Sequence, residues 1–180
     1  GLKVARVHTG DPAIYGAHRE QMDRLDELGI DYEVIPGVSS FLATAAVLKK
    51  EYTLPGVSQT VILTRMEGRT PMPPKEKLVD LAKHNATMII FLSVGMLDEM
   101  SAILRQEYRP ETPVAVVYKA TWEDQKIVRG DLTNIAERVK EAGITKTALT
   151  VVGDFLGNDY DLSKLYDKTF TTEFRKGVTE

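Results

Sequence analysis

Short apolar runs alternate with amphipathic stretches over most of the chain, and this pattern predicts strands that alternate with helices. Runs of consecutive branched apolar residues, such as TVILT and PVAVVY, are typical of strands buried on both faces of a sheet. The predicted strands are 60–64, 87–92, 113–118, 126–128 and 148–152, and the predicted helices are 75–84, 97–105 and 132–142. The fold class that follows is α/β.

The first fifty residues carry a shorter version of the same pattern. Residues 3–8 and 31–35 are predicted strands, and residues 17–28 are the predicted helix between them. Such a unit holds its two strands parallel, with a right-handed crossover. A second helix, FLATAAVL, follows Ser39 and Ser40, either of which is a suitable cap.

Strand counts and turn-forming residues divide the chain into unequal parts. Residues 51–59 contain proline and glycine and are predicted to link a first lobe, 1–50, to a second α/β lobe, 60–162. A polar tail follows at 163–180. Two strands and two helices bury too little apolar surface for an independent core. We therefore expect 1–50 to be the C-terminal part of a lobe whose beginning lies outside these 180 residues.

Composition excludes several classes of protein. The chain has 180 residues, 43% of them apolar and 27% charged, which is typical of a folded globular protein. A net charge of −3 argues against general binding to nucleic acid. The absence of cysteine excludes disulfides, thiolate zinc sites and a cysteine nucleophile, and fits the cytoplasm. No apolar run is long enough to predict a membrane span.

Two polar loops follow the two predicted strands of the first lobe. HTGDP contains Gly10, which lets a ligand approach the backbone, and Asp11, which can accept from hydroxyl or amine groups. PGVSS supplies the hydroxyl groups of Ser39 and Ser40 beside a helix N-terminus. The alternative for both loops is plain helix capping. Because adjacent parallel strands end side by side, the two loops are expected to lie together and to form a ligand site.

A third loop, RMEGRTP, follows the predicted strand TVILT. Its arginines, Arg65 and Arg69, are suited to bidentate contacts with carboxylates. The alternative is a solvated loop in which an arginine pairs with Glu67. No Walker loop, GxGxxG motif or Gly-x-Ser-x-Gly elbow occurs, and the three histidines have no metal-ligand spacing.

These segments together resemble the tetrapyrrole (corrin/porphyrin) methyltransferases. The segments are HTGDPAIYGA, EVIPGVSSFLATAA, EYTLPGVSQTVILTRMEGRTP, VVYKATWEDQKIVRG and SKLYDKTFTTEFRKGV. Within the superfamily, LTRMEGRTP and SKLYDKTF are narrow signals of the branch that methylates C11 of precorrin-4 or cobalt-precorrin-4 in cobalamin biosynthesis. The resemblance implies a tetrapyrrole methylase-like fold of two α/β lobes, here with the first lobe truncated. The family's opening strand and Gly-x-Gly-Pro-Gly-Asp-Pro loop are not among the 180 residues.

The resemblance also implies the cofactor, the substrate and their contacts. S-adenosylmethionine is expected to contact residues on four loops, namely Thr9, Gly10, Asp11, Ile14, Ser39, Ser40, Ser93 and Ala120, with Ser93 and Ala120 contributing backbone. The carboxylate-rich rim of the tetrapyrrole is assigned, on chemistry, to Tyr15, Arg65, Arg69 and Lys119. No metal and no catalytic residue is assigned.

The implied reaction is direct methyl transfer from the sulfonium to C11, yielding S-adenosylhomocysteine. Because sulfonium is a good leaving group, the protein chiefly supplies alignment and desolvation. A cytoplasmic homodimer is expected, without nucleic acid or membrane as a partner. Two alternatives stay open: another corrin-ring methylase of the same superfamily, and a dimerising fragment that does not catalyse the reaction.

Overall fold

The computed structural model describes residues 1–178, and its centre is one five-stranded mixed sheet. The strands are β1 (Val61–Arg65), β2 (Thr87–Phe91), β3 (Pro113–Tyr118), β4 (Lys126–Asp131) and β5 (Ala148–Val152). The helices are α1 (Arg19–Glu27), α2 (Ser40–Leu48), α3 (Leu78–Ala82), α4 (Leu97–Leu104) and α5 (Ile135–Glu141). This confirms the predicted α/β class, and β3 and β5 have the predicted bounds.

Strand directions determine where loops can meet. The order across the sheet is β1-β2-β5-β3-β4. Strand β1 pairs parallel with β2, whereas β5 runs antiparallel to both β2 and β3, and β4 runs antiparallel to β3. Strands β1, β2 and β3 therefore point the same way, and their carboxyl ends share one edge of the sheet.

Both faces of the sheet are covered, which explains the continuous apolar runs of its central strands. Side chains alternate along β2, so Met88 and Ile90 pack on one face while Ile89 and Phe91 pack on the other. Helices α3, α4 and α5 cover the first face. Helix α2, the segment after it and Phe155 cover the second face.

The segment predicted as a linker packs closely against the sheet. Tyr52 and Leu54 are buried, and the Tyr52 hydroxyl donates to the carbonyl of Phe41 at 2.6 Å. The Thr87 hydroxyl at the start of β2 donates to the carbonyl of Tyr52 at 2.8 Å. This stretch is therefore part of the second face of the sheet, and the division into lobes stays a prediction.

The two strands predicted in the first lobe are wrong for the described chain, because residues 3–8 and 31–35 form no strand. Their apolar pattern is typical of a strand, but a strand also needs a neighbour for its backbone hydrogen bonds. Within residues 1–178 no strand lies alongside them, and Val4 and Val7 are about nine-tenths exposed. The intervening helix does form as α1, at Arg19–Glu27, with no buried residue.

Two other helices are shorter than predicted. The 75–84 segment splits into a 3₁₀ turn at Pro74–Glu76 and α3, because Lys77 has an extended backbone. Helix α5 begins three residues later than predicted, because a turn precedes it. In this turn the Asp131 carboxylate accepts hydrogen bonds from the Thr133 amide and from the side-chain amide of Asn134.

None of the helices formed by residues 1–178 combines the length and apolar character that crossing a bilayer requires.

Candidate functional site

Three loops of the sheet emerge at the edge shared by the carboxyl ends of β1, β2 and β3. They carry Arg65 and Met66 after β1, Ser93 after β2, and Lys119 with Ala120 after β3. Strand β5 separates β2 from β3, so Lys119 lies three strand spacings from Arg65, or about 14 Å across the sheet. The predicted sites of the second lobe therefore share one edge, but Arg65 and Lys119 are not neighbours.

The two polar loops of the first segment lie against each other, as predicted. The Asp11 carboxylate joins them, because Oδ1 accepts from the Ala13 amide and Oδ2 from the Gly37 amide, both at 2.8 Å. These amide donors favour the ionised form and lower the pKa of Asp11. Each carboxylate oxygen keeps a further lone pair for a ligand. Asp11 caps no helix, since residues 12–15 form a turn.

Glycine is required where the two loops touch. A Cβ on Gly37 would lie 2.1 Å from the Gly10 carbonyl oxygen, which is shorter than any tolerated contact. Gly10 has a φ of +68°, and a Cβ there would meet the Ser39 Cα at 3.4 Å and the Ser40 nitrogen at 3.5 Å. The glycine, aspartate and serine residues assigned to the cofactor thus form one compact group.

The two serines do not cap α2 with their side chains. Ser39 occupies the N-cap position and is buried, but its hydroxyl forms no capping hydrogen bond. Ser40 is the first helical residue and is exposed. The capping alternative is therefore not realised for either hydroxyl, and the amino end of α2 faces the Gly10 loop.

An aromatic contact joins the first loop to β2. The Tyr15 ring packs on Phe91 with the ring centroids 5.1 Å apart, and Ile14 packs against the cluster that contains Phe91. Partial burial raises the pKa of Tyr15, and the nearby charge of Arg65 opposes this shift. Tyr15 and Arg65, both assigned to the substrate, therefore lie close together. Thr9 is exposed at the start of the same loop.

Ser93 connects the ends of β1 and β2. Its buried hydroxyl accepts from the Met66 amide at 2.8 Å and donates to the Phe91 carbonyl at 2.6 Å. Because both hydrogen bonds go to backbone, the side chain is engaged within the protein. A contact between the Ser93 backbone and a ligand stays a prediction.

The two arginines of the third loop differ in their surroundings. The Arg65 guanidinium donates to the carbonyls of Met66 and Thr70, both at 3.1 Å, and of Pro71 at 2.8 Å. Arg69 is exposed and its guanidinium has no partner within residues 1–178. In the same described residues neither arginine forms the alternative ion pair with Glu67. Sequence reasoning missed this difference, because carbonyl acceptors leave no signature in the sequence.

Lys119 is held by its own loop. Its ammonium lies 2.5 Å from Asp124 and 5.4 Å from the centroid of the Trp122 ring. The Asp124 partner raises the pKa of Lys119. Asp124 was not among the site residues predicted from the sequence. Ala120 packs against the second face of the sheet, in the same cluster as Ile14.

Residues 1–136 match the family described as Tetrapyrrole (Corrin/Porphyrin) Methylases. The chain belongs to the tetrapyrrole methylases. A relative from Methanocaldococcus jannaschii, named cobalt-precorrin-4 C(11)-methyltransferase, is 62% identical over 98% of this chain and 69% of its own length. A relative of the same name from Priestia megaterium is 51% identical over 99% of this chain and 71% of its own length.

A solved tetrapyrrole methylase shares the fold. It is described as the cobalamin biosynthetic enzyme cobalt precorrin-4 methyltransferase, and it superposes with a TM-score of 0.83 at 48% identity. The match covers 85% of this chain and 64% of that structure. The chain thus spans about two thirds of the tetrapyrrole methylases it resembles.

Proposed function

We propose that this tetrapyrrole methylase takes part in the transfer of a methyl group from S-adenosylmethionine to C11 of precorrin-4 or cobalt-precorrin-4 in cobalamin biosynthesis. The observation that carries the proposal is the 62% identity, over 98% of the chain, with a relative named for that reaction. The segment LTRMEGRTP, at the end of β1, supports the same conclusion, because it is a narrow signal of the branch that methylates C11.

The paired loops fit such a cofactor. Gly10 presents backbone without a side chain, Asp11 keeps free lone pairs beside it, and the Ser39 hydroxyl is not used as a cap. Bound there, S-adenosylmethionine supplies an electrophilic methyl group on a sulfonium. We assign Gly10, Asp11, Ser39 and Ser40 to hold it, because one small group of residues then offers amide, carboxylate and hydroxyl contacts.

Alignment and exclusion of water are the tasks left to the protein. Tyr15, packed on Phe91, forms an aromatic wall between the cofactor loops and the end of β2. The largely apolar face of a tetrapyrrole macrocycle can pack against this aromatic surface. Displacing water from this wall favours the transfer, in which C11 forms a bond to the methyl carbon as the bond between that carbon and the sulfonium sulfur breaks. Arg69 is exposed and has no partner in the described part of the chain, 1–178, and it is assigned to a carboxylate of the substrate.

The experiment is a methylation assay with labelled S-adenosylmethionine. Incubated with precorrin-4 or its cobalt form, the protein should yield a product with one added methyl group at C11, located by carbon NMR. Methylation at another carbon would favour another corrin-ring methylase. Absence of both cofactor binding and methylation would favour the dimerising fragment that does not catalyse the reaction.

Cofactor binding has its own test. Titration calorimetry with S-adenosylhomocysteine should register binding to the protein and a loss of affinity in Asp11→Ala. Unchanged affinity in that variant would contradict the assignment of the paired loops. Arg109→Gln, which alters an exposed ion pair with Asp154 at the opposite edge of the sheet, is the matched control.

We also propose that the protein acts as a homodimer in the cytoplasm. The family resemblance supports the dimer, and the cysteine-free composition supports a reducing compartment. Sedimentation equilibrium tests the oligomeric state.

A further inference from the structure

The loop 66–71, between β1 and the turn before α3, is tied down at both ends. At its start, Met66 is buried and its amide donates to the Ser93 hydroxyl, which is itself bonded to the Phe91 carbonyl. The near end of the loop is therefore attached to the ends of both β1 and β2.

The far end is held by a single side chain. The Arg65 guanidinium donates through Nη1 to the carbonyls of Met66 and Thr70, and through Nη2 to that of Pro71. A guanidinium presents its donors in a rigid planar fork, so one group reaches both ends of the loop at once. Arg65, the last residue of β1, thereby holds the two ends of loop 66–71 together.

Local sterics do not replace this clamp. Gly68, in the middle of the loop, has no heavy atom within 4 Å of a built Cβ, and Glu67, Gly68 and Arg69 are all exposed. The three hydrogen bonds of Arg65 join the two ends of the loop and so constrain the direction in which the exposed tip points.

We propose that Arg65 is a positioning residue which holds loop 66–71 so that Arg69 contacts a carboxylate of the substrate. This rests on the proposed function, since it assigns the loop to substrate recognition. It also replaces the initial assignment of Arg65 to the substrate rim. Three carbonyl acceptors already use three of the five N–H donors of Arg65, whereas the exposed Arg69 guanidinium has no partner among residues 1–178.

The test is a double-mutant cycle in the methylation assay, with Arg65→Gln, Arg69→Gln and the double variant. Arg69→Gln should raise the KM for the tetrapyrrole about tenfold, as expected for one lost charge-assisted contact, and leave kcat and the cofactor KM unchanged. Arg65→Gln should raise the same KM, and the double variant should be no worse than Arg69→Gln alone. If Arg65 itself bound a carboxylate, the two increases would multiply, which would overturn the proposal.

Hydrogen exchange supplies a readout that does not depend on turnover. The amides of Glu67 to Thr70 should exchange faster in Arg65→Gln than in wild type, and should be unchanged in Arg69→Gln. Arg65→Lys should not rescue, because one ammonium cannot span three carbonyls. Rescue by lysine, or unchanged exchange in Arg65→Gln, would overturn the clamp.

Two results separate this inference from the proposed function. A wild-type protein that binds no cofactor and methylates no tetrapyrrole refutes the proposed function. The hydrogen-exchange comparison would still test whether Arg65 holds loop 66–71. An active wild type with independent Arg65 and Arg69 effects refutes only the clamp. Arg109→Gln serves again as the control, because it removes an exposed guanidinium far from loop 66–71.

Discussion

Replacing Ser93 with alanine should destabilise the protein measurably, although it removes only one oxygen atom. The Ser93 hydroxyl is buried and bridges the Met66 amide and the Phe91 carbonyl. Its removal leaves the Met66 amide without a partner in a place that water does not reach. Leaving a buried donor unsatisfied costs about 1–3 kcal/mol, so we expect the free energy of unfolding to fall by about 2 kcal/mol. For a chain of this length that corresponds to about 4–8 °C in Tm.

Ser101→Ala is the matched control for this prediction. Ser101 is also buried, but its hydroxyl has no hydrogen-bond partner within residues 1–178. Deleting it removes an unsatisfied polar atom from the interior of α4, where alanine also has the higher helix propensity. Urea unfolding should therefore give Ser101→Ala a stability equal to or above wild type. Equal destabilisation of the two variants would refute the reasoning, because burial alone would then explain both.

Three further predictions concern the paired loops and the segment after α2. Gly37→Ala should abolish most binding of S-adenosylhomocysteine in calorimetry, because its Cβ would collide with the Gly10 carbonyl at 2.1 Å. Because the pKa of Asp11 is lower in the folded protein, its ionised carboxylate stabilises the fold fully at pH values above the ordinary pKa of 3.8. This stabilisation is lost as the pH falls below that value. The difference in Tm between wild type and Asp11→Asn should therefore shrink in acid, and a constant difference would contradict this. Tyr52→Phe should cost about 1 kcal/mol in urea unfolding, since it deletes the hydrogen bond to the Phe41 carbonyl.

Strands were predictable from the sequence where their side chains are buried on both faces of the sheet. PVAVVY and ALTVV form β3 and β5 with the predicted bounds, because a run of branched apolar residues favours a strand that is buried on both faces of a sheet. Residues 3–8 and 31–35 have a similar local pattern and form no strand. The pattern records what a side chain prefers, but pairing depends on a neighbouring backbone that the local sequence does not encode.

The candidate site was predictable in its location and less so in its contacts. The meeting of the Gly10 and Gly37 loops was predicted from two adjacent parallel strands; the loops do touch, although residues 3–8 and 31–35 form no strand. The partners of Arg65 and Ser93 did not follow, since both side chains bind main-chain groups. Every residue has a backbone carbonyl and every residue except proline has an amide N–H, so such partners have no distinguishing residue type. The Lys119 pair with Asp124 carried a weak signal, in the form of opposite charges five residues apart.

The side chains that order this edge of the sheet mostly bind backbone. Asp11 joins two loops through amides, Ser93 joins two strand ends, and Arg65 closes a third loop through carbonyls. Loops fixed in this way keep their shape without the ligand, and the groups they present, such as Arg69, stay free for contact. A methyl transfer that depends on alignment rather than on an acid or a base gains most from such preorganised loops. Loss of one backbone contact should therefore weaken ligand binding at this edge before it unfolds the protein.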